Sequence, residues 1–157
     1  MTQSYIDNDK YILRRMAESD RTPVLEMMRV FYSSDAVSTD ASDDIFNKDI
    51  TECVSESPFV EGFVFVKNDT AKISGYAMLA HSFSTEFGRR CVWIEDLYLK
   101  EEARGEGLAS QFLDFVQRAF PDDLQRLDSE SYNEHALDIY YRKGFSLLPY
   151  IELVRNM

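Results

Sequence analysis

Hydrophobic spacing changes period several times along this chain, and each change marks an element. After a short polar lead, "YILRRMA" (11–17) reads as a first strand. In "SDRTPVLEMMRVFYSS" the spacing becomes helical. Asp20 or Thr22 serves as N-cap, Pro23 sits in the first turn, and Val24, Leu25, Met28, Phe31 and Tyr32 follow on one stripe. The polar connection "DAVSTDASDD" leads to a second helix carrying Phe46, Ile50, Cys53 and Val54 on one side. The middle is strand-like: "GFVFVKNDTAKISGYAMLAHS" holds two runs around a polar turn, and "RRCVWIEDLYL" (89–99) is a third. A further helix turns Leu108, Phe112, Phe115, Val116 and Ala119 inward and stops at Pro121. "LQRLDSES" is a short strand. "YNEHALDIYYRKGF" is a compact helix with Ser131 or Asn133 as cap, Arg142 and Lys143 in its last turn and Gly144 as a left-handed terminator. The tail "FSLLPYIELVRN" predicts one or two closing strands around Pro149.

The resulting order, β-α-α-β-β-β-α-β-α-β, is that of an α/β domain with a mixed sheet. No repeat, low-complexity tract or linker interrupts it, so residues 1–157 are expected to form one domain. No apolar run reaches the roughly 18–20 residues that span a bilayer, and no signal-peptide pattern opens the chain, so no membrane partner is expected. Cys53 and Cys91 are the only cysteines, without a Cys/His cluster. Neither a disulfide framework nor a metal site is expected, which suits the cytoplasm. The 28 acidic residues against 17 basic ones give a net charge of −11. That argues against a nucleic-acid partner, which needs cations to displace counterions from phosphates. It permits a cationic substrate, although acidity also serves solubility alone.

Candidate chemistry concentrates in "LYLKEEARGEGLASQFLDFVQ" (97–117), where Gly105 and Gly107 lie between a strand and a helix. A Walker A loop needs Lys and then Ser or Thr after its last glycine; here Leu108 follows Gly107. A dinucleotide fingerprint needs a third glycine where this chain has Ser110. Two alternatives remain. The glycines ease a tight turn, or they let an anion approach the free amides and positive dipole end of the helix.

The spacing Leu99-x4-Arg104-x2-Gly107-x-Ala109 resembles the acetyl-CoA signature V-x4-[RQ]-x-x-G-x-[GA] of the GNAT superfamily of N-acetyltransferases. "NEHALDIYYRKGF" (133–145) is similar to that family's N-x-x-A-x-x-x-Y-x-x-x-G-F, with Asn133, Ala136, Tyr140, Gly144 and Phe145 in register. With the order of elements, the resemblance covers residues 11–155. It implies the GNAT acyl-CoA N-acyltransferase fold: a mixed sheet of roughly six to seven strands, about four helices, and central parallel strands that splay apart. It also implies acetyl-CoA as co-substrate and no metal.

The resemblance places the pantetheine arm between strand 91–99 and a strand near 125–130, against the backbone of Leu97, Tyr98 and Leu99. The Leu97 amide becomes the donor to the thioester carbonyl, where negative charge develops. Arg104, Gly105, Glu106, Gly107, Leu108 and Ala109 would hold the pyrophosphate, with Asn133 also on the cofactor. Glu106 departs from the family's common Lys or Arg and is expected to face solvent. Tyr140 matches a tyrosine near the cofactor sulfur, where a phenol of pKa about 10 can protonate a leaving thiolate; the alternative is aromatic packing with Tyr141.

Glu95 and Asp96 lie mid-strand, where carboxylates are uncommon unless paired or functional. Alternation puts Glu95 on the face of Leu97 and Leu99 and Asp96 on the other. The "IED" run is similar to that of polyamine acetyltransferases, which use an acidic side chain there to bind or deprotonate the amine. This implies Glu95 as base or amine anchor, acting directly or through water. Asp96 is then structural, satisfied by backbone or an arginine.

Tyr32, Asp35, Asp40, Asp43 and Asp44 make the connection between the first two helices acidic and partly aromatic. That suits a small cationic amine, and equally a solvated loop with capping aspartates. His81 either lines the acceptor site or is an ordinary hydrogen-bonded side chain. His135 is expected at the surface, and Cys91 is a small strand residue. The expected function is direct transfer of acetyl from acetyl-CoA to a primary amine in a ternary complex. A protein N-terminus or lysine as acceptor, and a non-catalytic acetyl-CoA-binding module, are the alternatives. A homodimer is compatible with this class.

Overall fold

The computed structural model describes residues 3–39 and 41–157. Its six strands form one sheet in chain order: β1 (Ser4–Asp7), β2 (Tyr11–Arg15), β3 (Val60–Lys67), β4 (Ile73–Ser84), β5 (Arg89–Leu99) and β6 (Leu124–Leu127). Neighbours from β1 to β5 pair antiparallel, while β5 and β6 run parallel. The helices are α1 (Arg21–Tyr32), α2 (Asp43–Val54), α3 (Leu108–Ala119) and α4 (Glu134–Arg142).

Strand alternation divides the core between the two faces of the sheet. Phe63 and Phe65 of β3 pack with Leu108, Phe112, Phe115 and Val116 of α3. Val64 and Val66, one residue out of phase, pack with Val24, Met27 and Met28 of α1 and with Phe46, Ile50 and Cys53 of α2. One face therefore carries α3 and the other α1 and α2. α4 is held to the α3 side, where Lys143 Nζ reaches Asp114 Oδ1 of α3 at 2.8 Å and Ile139, Tyr140 and Phe145 pack on the core margin. Asp20 precedes α1 but does not cap it through its side chain. Buried at 3% exposure, it accepts from Arg14 at 2.7 and 3.0 Å and from the Ala17 N–H.

Four expectations are corrected. β1 arises from residues with only Tyr5 and Ile6 apolar, too few to show a period. Tyr5 is held by an edge contact with Phe63 and a tilted one with Phe115. The strand expected over 11–17 ends at Arg15. On α3, Leu113 is buried where Ala119 was expected, and Ala119 faces solvent. The closing strands around Pro149 are absent: 145–157 has no regular structure, and Ile151 and Leu153 are about nine-tenths exposed. Apolar composition does not by itself make a strand: the segment pairs with neither the free edge of β6 nor the unpaired half of β5, and Pro149 lacks the N–H a ladder uses.

Candidate functional site

β5 is longer than its parallel partner. Its register with β6 covers only Cys91 to Ile94, opposite Leu124 to Leu127, so Asp96 to Leu99 pair with β4 alone. The Lys100 N–H donates to Ser74 O at 2.8 Å. Two-residue alternation therefore turns the Tyr98 amide toward β4 and the amides of Leu97 and Leu99 away from it, to the side that β6 has left. Arg104 Nε donates to Leu99 O at 2.9 Å from that open side.

The same opening leads to the start of α3. Gly105 and Gly107 have φ of 77° and 75°, the left-handed region that glycine enters without strain. Gly107 is the N-cap, and Gln111 is the residue whose N–H bonds back to its carbonyl at 3.0 Å. The amides of Leu108, Ala109 and Ser110 therefore have no acceptor inside the helix. Successive free amides at a dipole's positive end fit an anionic group. Leu108 buries its side chain in the core, while Arg104 is exposed with its guanidinium 5.8 Å from the Tyr98 ring. Glu106 does not simply face solvent: its carboxylate lies 2.8 Å from Lys10 Nζ, from the β1–β2 turn.

Glu95 breaks the alternation expected for it. Met78 pairs with Asp96 and Leu79 with Ile94, leaving Glu95 without a partner in β4. This is a β-bulge, which adds a residue on one strand and shifts phase. Ile94, Leu97 and Leu99 consequently share the α3-side core, an odd spacing that the unpaired Glu95 between them makes possible. Its side chain reaches solvent at the bulge. Desolvation, then the negative charges of Asp96, Asp128, Glu152 and Asp49, push its carboxyl above the usual range.

Asp96 is 4% exposed on the α1–α2 face. Neither backbone nor arginine satisfies it. The Tyr32 hydroxyl donates to Oδ1 at 2.9 Å and the Tyr76 hydroxyl to Oδ2 at 2.7 Å. Burial still pushes its carboxyl up, against the pull of both phenols. Asp49 of α2 is lifted to about 6 by burial and by the charge of Asp96. Tyr32 also lines a cavity of about 400 Å³ with Arg29, Asp43 and Phe46, between the ends of α1 and α2. Tyr76, Asp49 and Lys10 were not foreseen. The one available signal was a second acidic residue inside an apolar strand.

The other positions fall as follows. Tyr140 is partly buried against Phe145, ring centroids 6.0 Å apart, and burial alone raises its phenol. Asn133 is the N-cap of α4, and its side chain makes no capping hydrogen bond. Asp35 is exposed, and its carbonyl accepts the Tyr132 hydroxyl at 2.5 Å. That bond joins the α1–α2 connection to the segment after β6, the two stretches flanking the unpaired half of β5. Asp43 pairs with Arg29, and Asp40 lies outside the described residues. His81 is not brought to this site. It stands opposite Val92, about 20 Å along β5 from Leu99. There its Nε2 lies 2.7 Å from Glu61, in a separate cavity of about 550 Å³ with Arg15, Arg90 and Asp123. Among the described residues no group of His, Cys, Asp and Glu could hold a metal ion, and no helix is long and apolar enough to cross a membrane.

Residues 24–145 match the profile of the Acetyltransferase (GNAT) family. A Bos taurus thialysine N-epsilon-acetyltransferase is 33% identical over 75 residues, which is 46% of this chain and 44% of that protein. The match thus spans less than half the length of that curated relative. Among solved structures, a possible acetyltransferase from Clostridium difficile 630 superposes with a TM-score of 0.77 at 14% identity, covering 95% of this chain and 99% of that one. The structure of AAC(6')-Iy in complex with a bisubstrate analog, CoA-S-monomethyl-acetylneamine, gives 0.74 at 16% identity, with 94% and 98% covered. At these identities the likeness is one of fold.

Proposed function

The chain belongs to the acetyltransferase (GNAT) family, and from that premise we propose that it transfers acetyl from acetyl-CoA to a primary amine, with a small cationic amine as acceptor. The observation that carries this reading is the unpaired half of β5, with the Leu97 amide turned into the gap and continuous with the glycine-lined start of α3. Tyr98 and Leu99 extend the wall for the pantetheine arm. Arg104 to Ala109 take the pyrophosphate through backbone amides, Lys10 offsets the charge of Glu106, and the Asn133 side chain is free to join them.

Transfer is direct. The amine nitrogen attacks the thioester carbonyl carbon, the Leu97 N–H takes the developing oxyanion, and the C–S bond breaks as the intermediate collapses. Glu95 accepts the proton the ammonium loses, and burial with its acidic neighbours raises its carboxyl, which makes it a stronger base than an ordinary glutamate. The Tyr140 hydroxyl, kept protonated by burial, gives its proton to the departing thiolate and is restored by the second proton, which the acylated nitrogen sheds. Tyr32 and the acidic Asp35 flank the acceptor side. The names of the bovine and AAC(6')-Iy proteins both denote amine acetylation, which supports an amine acceptor.

The deciding experiment is an acetyl-transfer screen over polyamines, aminoglycosides, amino acids and peptides, read as CoA release. Turnover is expected with a small polyamine or amino sugar. Turnover only with peptides would replace the acceptor class, and tight acetyl-CoA binding without any acceptor would replace the enzyme by a binding module. The exposed apolar side chains of 145–157 support a homodimer, which sedimentation at micromolar concentration tests against the 18.3 kDa monomer.

A further inference from the structure

A bulge interrupts β5 at the point where chemistry is proposed, and such an interruption needs holding. The extra residue leaves local backbone unpaired, and a one-residue slip would send every following side chain to the opposite face. The residue next to the bulge is Asp96, and it is tied more firmly than any neighbour. Its two oxygens take hydroxyl protons from two different elements, Tyr32 at the end of α1 and Tyr76 in β4. Tyr76 is fully buried; Phe31 packs on both phenols and Tyr98 on Tyr76, with ring centroids 5.4–6.5 Å apart. No cation neutralises the carboxylate among the described residues, so salt-bridge strength does not explain its place in the core. Replacing such a group by an apolar one of the same shape is often neutral for stability, which points to a geometric role.

We propose that Asp96, clamped by Tyr32 and Tyr76, is a positioning residue for acetyl transfer: it pins the bulge and thereby aims the Glu95 carboxylate on one side and the Leu97 amide on the other. Each target is one peptide link away. A shift of about 1 Å in either group suffices to cost on the order of a hundredfold in rate. Asp96 also acts on Glu95 by its charge, the largest electrostatic influence on that carboxyl. The other groups facing Glu95 are Asp128 after β6, Glu152 in the last segment and Asp49 of α2, all acidic. Those facing Asp96 are Tyr32, Tyr76 and, from α2, Asp49.

The inference rests on the proposed acetyl transfer, and two variants separate its failure from that of the base assignment. Asp96→Asn keeps the shape and removes the charge and one phenol acceptor. With an amine that the natural protein acetylates, its kcat is expected to fall about 10- to 100-fold, while KM for acetyl-CoA and the circular dichroism spectrum stay unchanged. The acid limb of its pH–rate profile should move to lower pH, because Glu95 loses a like-charged neighbour. The double variant Tyr32→Phe, Tyr76→Phe should show the same loss of kcat. Glu95→Gln tests the base separately: natural turnover there overturns the role of Glu95, and Asp96→Asn still reports on the aim of Leu97. Natural kcat with an unmoved pH profile in Asp96→Asn overturns the positioning role. So does a loss confined to KM for acetyl-CoA, or a loss of kcat that tracks general unfolding.

Discussion

The Lys10 ammonium lies 2.8 Å from the Glu106 carboxylate, so the only acidic side chain of the 104–109 loop is neutralised from the β1–β2 turn. Both groups are exposed, and such pairs contribute little to stability. Their effect falls on whatever anion the loop holds. Lys10→Glu is expected to raise KM for acetyl-CoA about two- to fivefold with kcat unchanged, an effect that shrinks at high salt. Steady-state kinetics at two ionic strengths checks this, and a salt-independent change would mean the loop had been reshaped.

Gly107 combines a left-handed backbone with the N-cap of α3. A Cβ there meets only Gln111 Nε2, at 3.6 Å, so space does not forbid alanine. The conformation does, at about 1–2 kcal/mol. Gly107→Ala should lower the melting temperature by a few degrees. Combined with Gly105→Ala it should weaken acetyl-CoA binding about tenfold, because two amides lose their approach to the anion. Calorimetry of unfolding and of binding separates the two effects.

The Tyr140 phenol is raised by burial alone, with no hydrogen-bond partner contributing. Tyr140→Phe should therefore leave folding stability and acetyl-CoA affinity unchanged. Its kcat should fall about a hundredfold, the usual worth of a general acid. In the natural protein the hydroxyl stays protonated through neutral pH, so any basic limb from Tyr140 should lie above pH 10. Unaltered turnover in the variant would reduce Tyr140 to packing.

Asp49 has the opposite relation to stability. Its folded carboxyl, at about 6, lies above the reference 3.8, so the folded chain binds that proton more tightly. The associated stability is present below about pH 3.8 and lost as pH rises through 6. Asp49→Asn should raise the melting temperature by a few degrees at pH 7.5 and leave it unchanged at pH 4. Thermal unfolding at the two pH values decides it.

Much of this arrangement is legible along the chain because local rules govern it. The 3.6-residue stripes of Val24–Met28 and Phe112–Val116, and the period-two alternation of Phe63 to Val66, mark their elements and core faces directly. The two glycines, the strand before them and the helix after them fall where their motif implies. β1 escaped notice because four residues with two apolar side chains carry no measurable period. The closing strands were expected from apolar composition, which says nothing about whether a segment docks on a sheet edge.

What sequence alone determined is therefore the family, the order of its main elements and the residues of the anion-binding turn, since all of these depend on near neighbours in the chain. Tertiary structure decided the rest. A bulge is a mismatch between two strands, so the lack of a β4 partner for Glu95 becomes visible only when β4 is laid beside β5. The partners of Asp96 stand 64 and 20 residues away. Two phenols and a carboxylate at that separation leave no periodic trace, because their meeting depends on how α1 crosses the sheet. The stretch "IED" placed two acids side by side in the sequence; the fold left one exposed at the bulge and locked the other under two phenols.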